Sequence, residues 1–173
     1  PEPAPSPSTD PTPAPAPVPE PSSATDTEPA HGSRLNPAGS DLSVVFTLDD
    51  GEVEVWPNPA TWDANSIVAA ENMFNDPPAP GMVHVLLPIT VSYSGSGSVD
   101  PYYDITVTFL ADDGRSYVTG YEVVPDDLLD VNELYDGGSA TGNLQFELPA
   151  DQTPGGLWGI SYGWDEPFWF VAT

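Results

Sequence analysis

Leu134-Tyr135-Asp136-Gly137-Gly138-Ser139-Ala140-Thr141-Gly142-Asn143-Leu144-Gln145-Phe146-Glu147-Leu148-Pro149 is the stretch whose reading decides the fold. From Asn143 onward apolar and polar residues alternate, so Leu144, Phe146 and Leu148 share one face while Asn143, Gln145 and Glu147 share the other. This is a half-buried strand, launched from the turn Asp136-Gly137-Gly138 and stopped by Pro149. Every other patterned segment is a candidate partner for its apolar face.

The longest candidate is Met82 to Tyr93, with Val83, Val85, Leu87, Ile89, Val91 and Tyr93 on one face and a mixed face carrying His84, Leu86, Thr90 and Ser92. Pro88 has no N–H to give a ladder, so this strand is expected at an edge, or bulged, at that point. His84 has no histidine or cysteine at ligand spacing and reads as a half-exposed strand residue. Asp104 to Leu110 alternates again, and Ala111-Asp112-Asp113-Gly114-Arg115 turns it back toward a strand over Tyr117 to Val124. Leu157 to Tyr162 and Phe168 to Val171 predict a closing hairpin. Upstream, Leu42 to Leu48 and Gly51 to Trp56 flank Asp49-Asp50-Gly51, a hairpin turn signal. A short helix is expected near Ser66 to Met73, capped by Asn65 or Ser66. Seven to nine short strands with turn signals between them, and no amphipathic helices alternating with them, predict an all-β antiparallel sandwich.

Composition divides the chain of 173 residues in two, because 11 of its 23 prolines fall in the first thirty residues. Residues 1–35 read as a disordered Pro/Ala/Ser/Thr-rich linker, which in polyproline conformation at about 3.1 Å per residue would reach roughly 90 Å. His31 and Arg34 belong to its exit, and 36–173 is the folded domain, its order beginning near Asp41. There are 27 acidic residues against two arginines and no lysine, giving a net charge of -25. Nucleic acid and anionic membrane would repel such a chain. With no cysteine, thiol chemistry and disulfides are excluded. Proline at position 1 reads as a mature or trimmed chain whose export signal has been removed.

Four runs carry a family resemblance: GMVHVLLPITVSYSG, DPYYDITVTFLADDGRSY, VVPDDLLDVNELYDGGSATGNLQFELPAD and GGLWGISYGWDEPFWF. Together they resemble the telokin-like, immunoglobulin-like domain of unknown function in exported lipoproteins of actinobacteria and other Gram-positive bacteria. The match spans about Leu42 to Val171, and its most specific part is Leu134-Tyr135, Gly137-Gly138, Gly142-Asn143 and Phe146 to Pro149. The resemblance implies an immunoglobulin-like β-sandwich, an extracellular location and attachment to the envelope through an anchor cysteine upstream of Pro1. It implies no reaction. Relatives often carry a cysteine pair where Tyr121, or a neighbour, and Leu144 stand here.

Enzyme chemistry finds few parts in this sequence. Only His84 lies where a base could work, without a nucleophile-bearing turn beside it. Phosphate loops are absent. Calcium is the metal to consider, because Asp126, Asp127, Asp130, Glu133 and Asp136 crowd the segment before the organising strand, although not at EF-hand spacing. Among the five tryptophans, Trp158 and Trp169 are expected in the core, and Trp164 in the tip Tyr162-Gly163-Trp164-Asp165-Glu166 is the expected exposed aromatic. The reading is a non-enzymatic extracellular interaction or accessory domain, monomeric, with a protein or cell-wall component as partner. Calcium or glycan binding is the alternative.

Overall fold

The structure, a computed structural model of the chain, describes residues 30–173. The linker expected over 1–35 therefore lies, for residues 1–29, outside the described residues. Eight strands form two antiparallel sheets: β1 (Val44–Leu48), β2 (Gly51–Pro57), β3 (Met82–Gly95) and β6 (Ser139–Pro149) in the order β1-β2-β3-β6, and β4 (Ile105–Leu110), β5 (Ser116–Val118), β7 (Leu157–Tyr162) and β8 (Phe168–Val171) in the order β5-β4-β7-β8. The expected β-sandwich is the fold. The opening hairpin β1–β2 pairs Leu48 with Gly51, and the closing hairpin β7–β8 pairs Ile160 with Phe168.

The apolar faces meet as the alternation requires. Val53 and Val55 of β2, Val85, Leu87, Ile89, Val91 and Tyr93 of β3, and Leu144, Phe146 and Leu148 of β6 are buried against Val107 and Phe109 of β4, Trp158 and Ile160 of β7, and Phe170 of β8. Trp158 is the centre of this core. Its ring centroid lies 4.9 Å from Phe109, 5.0 Å from Phe146 and 5.8 Å from Trp62, whose indole is stacked on it. Phe146 belongs to one sheet and Phe109 and Trp158 to the other, so the aromatic cluster joins the layers.

Several expectations are corrected. β3 is a central strand whose register with β6 runs unbroken from Met82↔Pro149 to Ser92↔Ser139, and only at Pro88, past the end of the β2 ladder, does it meet the local edge the proline requires. Pro88 is accommodated because β2 leaves the sheet there: the β2 ladder ends at Pro57↔Ile89, and the Pro88 carbonyl accepts from the Asn58 N–H at 2.9 Å. The missing donor thus faces the point where no ladder partner remains. The helix α1 (Asn65–Glu71) begins at Ala64 without a side-chain cap, because the Asn65 Oδ1 accepts instead from the His84 N–H at 2.8 Å. The strand expected over Tyr117 to Val124 is confined to Ser116–Val118. Beyond it the chain crosses between the sheets, the Gly120 N–H donating to the Gln145 carbonyl (2.7 Å) and the Asn143 N–H to the Asp126 carbonyl (2.7 Å). The crossover thereby covers the free edge of β6, which would otherwise offer unpaired backbone groups.

Residues 30–35, read from sequence as linker, are ordered against β8. The Trp169 N–H donates to the Gly32 carbonyl (2.7 Å), the Ala38 N–H to the Trp169 carbonyl (2.8 Å), and the His31 ring stands edge-on to Phe168. An open strand edge with small residues at Gly32 and Ala38 draws the chain in earlier than the apolar pattern indicates.

Truncating Phe146 to Ala would leave a cavity between the sheets, and large-to-small changes of this kind cost about 3–5 kcal/mol. The expected result is a lower urea midpoint with an unchanged slope.

Candidate functional site

The outer faces of the sandwich carry the candidate sites, and β6 positions the one with the most polar character. Gln145, expected on a solvent face, is buried at 5% exposure, and His84, expected half-exposed, is buried at 2%. α1 and the segment after it cover His84, with Ala64, Val68, Leu86 and Val124 forming a second small core, and the crossover at Gly120 lies over Gln145. Asn75 ties this cover down, its Nδ2 donating to the carbonyls of Val68 and Val123 at 2.7 Å each.

The polar atoms under the cover fix one another. The His84 Nε2 lies 3.2 Å from the Asp76 carbonyl, which can only accept, so Nε2 carries the proton and Nδ1 is an acceptor. Nδ1 therefore receives the Gln145 amide nitrogen at 2.9 Å. This orientation leaves Gln145 Oε1 as the free end of the amide, buried and with no hydrogen-bond partner. Its neighbour is Gly120, where any Cβ would collide with that oxygen. Glycine is what lets the crossover approach so closely.

Gln145 forms part of the wall of a cavity of about 80 Å³, together with Tyr102, Gly120, Tyr121, Glu122 and Asp127. A second cavity of about 140 Å³ shares Tyr102, Thr119 and Leu144 with it and is otherwise mostly apolar, with Ile105, Val107 and Val118. Tyr121 in the wall is 95% exposed, and next to the cavities Tyr103, 73% exposed, meets the Tyr102 ring edge-to-face at 5.2 Å. Tyr121 and Leu144 both line the smaller cavity.

Asp127 is held in place by its neighbours. Asp126 adopts a left-handed backbone (φ 49°), which aspartate tolerates, and Asp127 then caps a 3-10 turn at Leu128–Asp130 by accepting from the Leu129 N–H at 2.9 Å. Burial raises the Asp127 pKa above the usual aspartate value, against the lowering effect of the Leu129 N–H; the Asp130 charge adds to the rise. Burial also raises the Tyr102 pKa, helped by the Asp127 carboxylate and by Tyr103 and Tyr121. The cavity wall is thus a set of acceptors at reduced dielectric.

Although the Asp130 charge is felt at Asp127, the remaining acidic candidates do not close around it. Asp126 and Asp130 are exposed, Glu133 accepts from the Tyr135 hydroxyl at 2.9 Å, and Asp136 accepts from the Gly95 N–H at 3.1 Å. Glu133 and Asp136 are thus used locally, and among the described residues no group of three or more His, Cys, Asp or Glu side chains is placed to hold a metal. Trp164 is fully exposed at the β7–β8 turn, as expected. Trp158 is in the core, while Trp169 is half-buried over Gly159. Trp56, one of the five tryptophans behind the glycan reading but ranked after Trp164 there, is half-buried in a groove of about 360 Å³ with Asp41, Asn58, Thr90 and Ser139. Asn58 is fixed there by its Nδ2 bond to Thr90 Oγ1 at 3.1 Å. The signal available in sequence was Trp56 falling on the polar parity of β2, with Glu52 and Glu54.

No protein-family model matches the chain, and no curated protein matches its sequence. Among solved structures it is similar to an uncharacterized β-sandwich protein from Clostridium difficile 630, with 10% identity over 80% of this chain and 95% of that one and a TM-score of 0.50. It is also similar to the secreted protein MPT63 from Mycobacterium tuberculosis, with 13% identity over 84% of this chain and 98% of that one and a TM-score of 0.49. What the chain shares with the Clostridium protein is the sandwich fold.

A native-state pKa above the unfolded value means that the folded chain binds more protons, so this contribution favours folding at low pH and is lost as pH rises through the raised pKa. Asp127→Asn keeps an oxygen for the Leu129 N–H and removes the ionisation. The variant is expected to match the parent chain in stability below the usual aspartate pKa and to exceed it at neutral pH. Urea unfolding of both at about pH 3 and pH 7 checks this.

Proposed function

We propose that this chain is a non-enzymatic extracellular domain, held at or released from the cell envelope, that recognises a partner through the tyrosine-rimmed face at the β5–β6 crossover. The observation that carries the reading is the exposure of Tyr121 and, at 46%, Leu129 in the wall of a polar cavity, with Val118 (67%) in the wall of the neighbouring one and exposed Tyr103 packed against the Tyr102 ring. Exposed tyrosines surrounding a desolvated polar centre are the composition of interaction surfaces, and solvated surfaces seldom gather them without use. The proline-rich leader supports a domain presented at a distance from an anchor, and the family resemblance supports export. The non-enzymatic reading is supported by His84, whose two ring nitrogens are committed to Asp76 and Gln145 beneath a covering helix. Neither is available to move a proton for a substrate.

The test is co-sedimentation of the full chain with purified cell envelopes of the producing organism. The double substitution Tyr103→Ser/Tyr121→Ser, both at exposed positions, is expected to leave the melting temperature unchanged and to reduce retention by about tenfold or more, as loss of central interface aromatics does. Unchanged retention would overturn the assignment of this face.

A second reading, glycan binding, draws on the Trp56 groove. A half-buried indole flanked by a fixed Asn58 amide, Asp41 and the Thr90 hydroxyl combines a flat apolar platform with polar walls, the usual make-up of a small-molecule cleft. Trp164 stands free of such walls. In affinity electrophoresis through gels containing envelope polysaccharide, Trp56→Ala is expected to lose retardation and Trp164→Ala to keep it; the reverse would return the glycan reading to the β7–β8 tip.

A further inference from the structure

The geometry points to the free edge of β1 as a second contact surface, one that takes up an extended segment of a partner protein in which apolar and basic residues alternate. This surface shares no residue with the tyrosine-rimmed face and stands or falls without it. Two sheets have four edges between them. The crossover lies along β6 and the chain at 32–38 lies along β8, while β5 is only three residues long. β1 offers the five residues Val44-Val45-Phe46-Thr47-Leu48, rich in strand formers and without the lysine or proline that often blunts an edge.

Hydrogen-bond direction identifies the unused backbone groups. The Tyr93 N–H donates to the Gly138 carbonyl and the Tyr93 carbonyl accepts from the Gly137 N–H, both at 3.0 Å, so the Tyr93 backbone faces β6. Direction alternates along an antiparallel strand, so Ser92 and Ser94 face β2, where they meet Glu54 and Glu52. Val53 and Val55 then face β1 and meet Phe46 and Val44. Val45 and Thr47 are left turned outward, and among the described residues nothing hydrogen-bonds to their backbone. An extended peptide laid beside β1 pairs with both. In this mode main-chain bonds supply affinity and alternate side chains supply specificity.

The surroundings select those side chains. A groove of about 490 Å³ lies between β1, the chain at 30–34 and the start of β8, with Val44, Phe46, Phe168 and Trp169 in its wall and one charge of each sign from Arg34 and Glu166. Alternate residues of an added strand enter this groove, and apolar ones fit it. The others lie on the outer face beside Val45 and Thr47, whose cross-strand neighbours are Glu54 and Glu52. Val45 and Thr47 are exposed and short, so a lysine or arginine stem crosses them to reach those carboxylates. Glu54 is held in place by the Ser43 hydroxyl at 2.6 Å, and Asp49-Asp50 adds two charges at the end of the edge. Acidic occupants are disfavoured there. A second copy brings another chain of net charge -25. The chain's own residues 1–29 contain no lysine or arginine, and their longest run without proline, Ser22 to Glu28, carries Asp26 and Glu28.

The experiment is amide hydrogen exchange, read by NMR on the full chain with an acetylated heptapeptide of alternating lysine and valine and with the same peptide methylated on its three central nitrogens, at equal ionic strength. The two peptides carry equal charge, and only the first can form a ladder. The Val45 and Thr47 amides are expected to exchange rapidly in the chain alone and to slow by about tenfold or more at saturating unmethylated peptide, with no slowing under the methylated one. Thr47→Pro removes an outward N–H and no β1–β2 bond, so it is expected to keep the remaining amide spectrum and lose the response at Val45. The methylated peptide decides the matter on the parent chain should that variant not fold. Equal responses to both peptides, or a response kept in folded Thr47→Pro, would overturn the inference and leave charge attraction alone. Protection of Val45 and Thr47 without any peptide overturns it too, giving the edge to the chain's own residues if independent of protein concentration and to a second copy if it grows with concentration.

Discussion

Trp158 is the contact on which the rest of the molecule depends. A sandwich of two four-stranded sheets is held only by what interdigitates between the layers, and here one indole meets Phe109, Phe146 and Trp62. A buried aromatic of this size removes up to about 250 Å² from water, and ring pairs add about 0.5–1.5 kcal/mol each beyond that. The Trp158 Nε1–H is buried without a partner, a penalty of about 1–3 kcal/mol that the surrounding aromatic packing offsets. Trp62 extends the cluster outward. It anchors the segment leading from β2 into α1, and so places the helix over the far side of β3 and β6.

That placement turns a surface into a second interior. Once α1 and the Asn75 segment cover His84 and the crossover covers Gln145, each polar atom there must find a partner or remain at cost. The order is then fixed by chemistry: a carbonyl sets the histidine tautomer, the tautomer sets the Gln145 orientation, and the orientation leaves Oε1 facing the crossover at Gly120. Asp127, presented by the left-handed turn at Asp126, supplies a charged acceptor to the cavity that Gln145 also walls. An aspartate kept in a desolvating position, where burial works against its ionised form, is a departure from the most stable arrangement. Departures of this kind concentrate at sites used for binding.

Charge and edge control give the rest of the molecule its character. The residues before β1 lie along β8 and the crossover lies along β6, so two strand edges are covered without recourse to disulfides. The acidic side chains of the β5–β6 connection act mainly as local acceptors for backbone or tyrosine donors, which spreads them over the end of the sandwich. The same spreading leaves no preformed calcium cage among the described residues.

The sequence by itself determined the strand set and the inward faces. Leu144-Phe146-Leu148 and Val85-Leu87-Ile89-Val91 alternate, and alternation is a property of each strand alone. It also settled the hairpins at Asp49-Asp50-Gly51 and Gly163-Trp164, because turn residues act locally. Tertiary structure decided everything that depends on which element lies over which. His84 and Gln145 sit on faces that the pattern marks as solvent-exposed, and they became interior because α1 packs over His84 and the crossover at Gly120 over Gln145. Pro88 lies in a central strand because β2 departs at Pro57, a fact of pairing invisible from β3 itself. The cavity beneath Tyr102 and Tyr121 joins residues from β6, the crossover and the segment before β4. No local signal brings such residues together, since their proximity is created only when the two sheets close on Trp158.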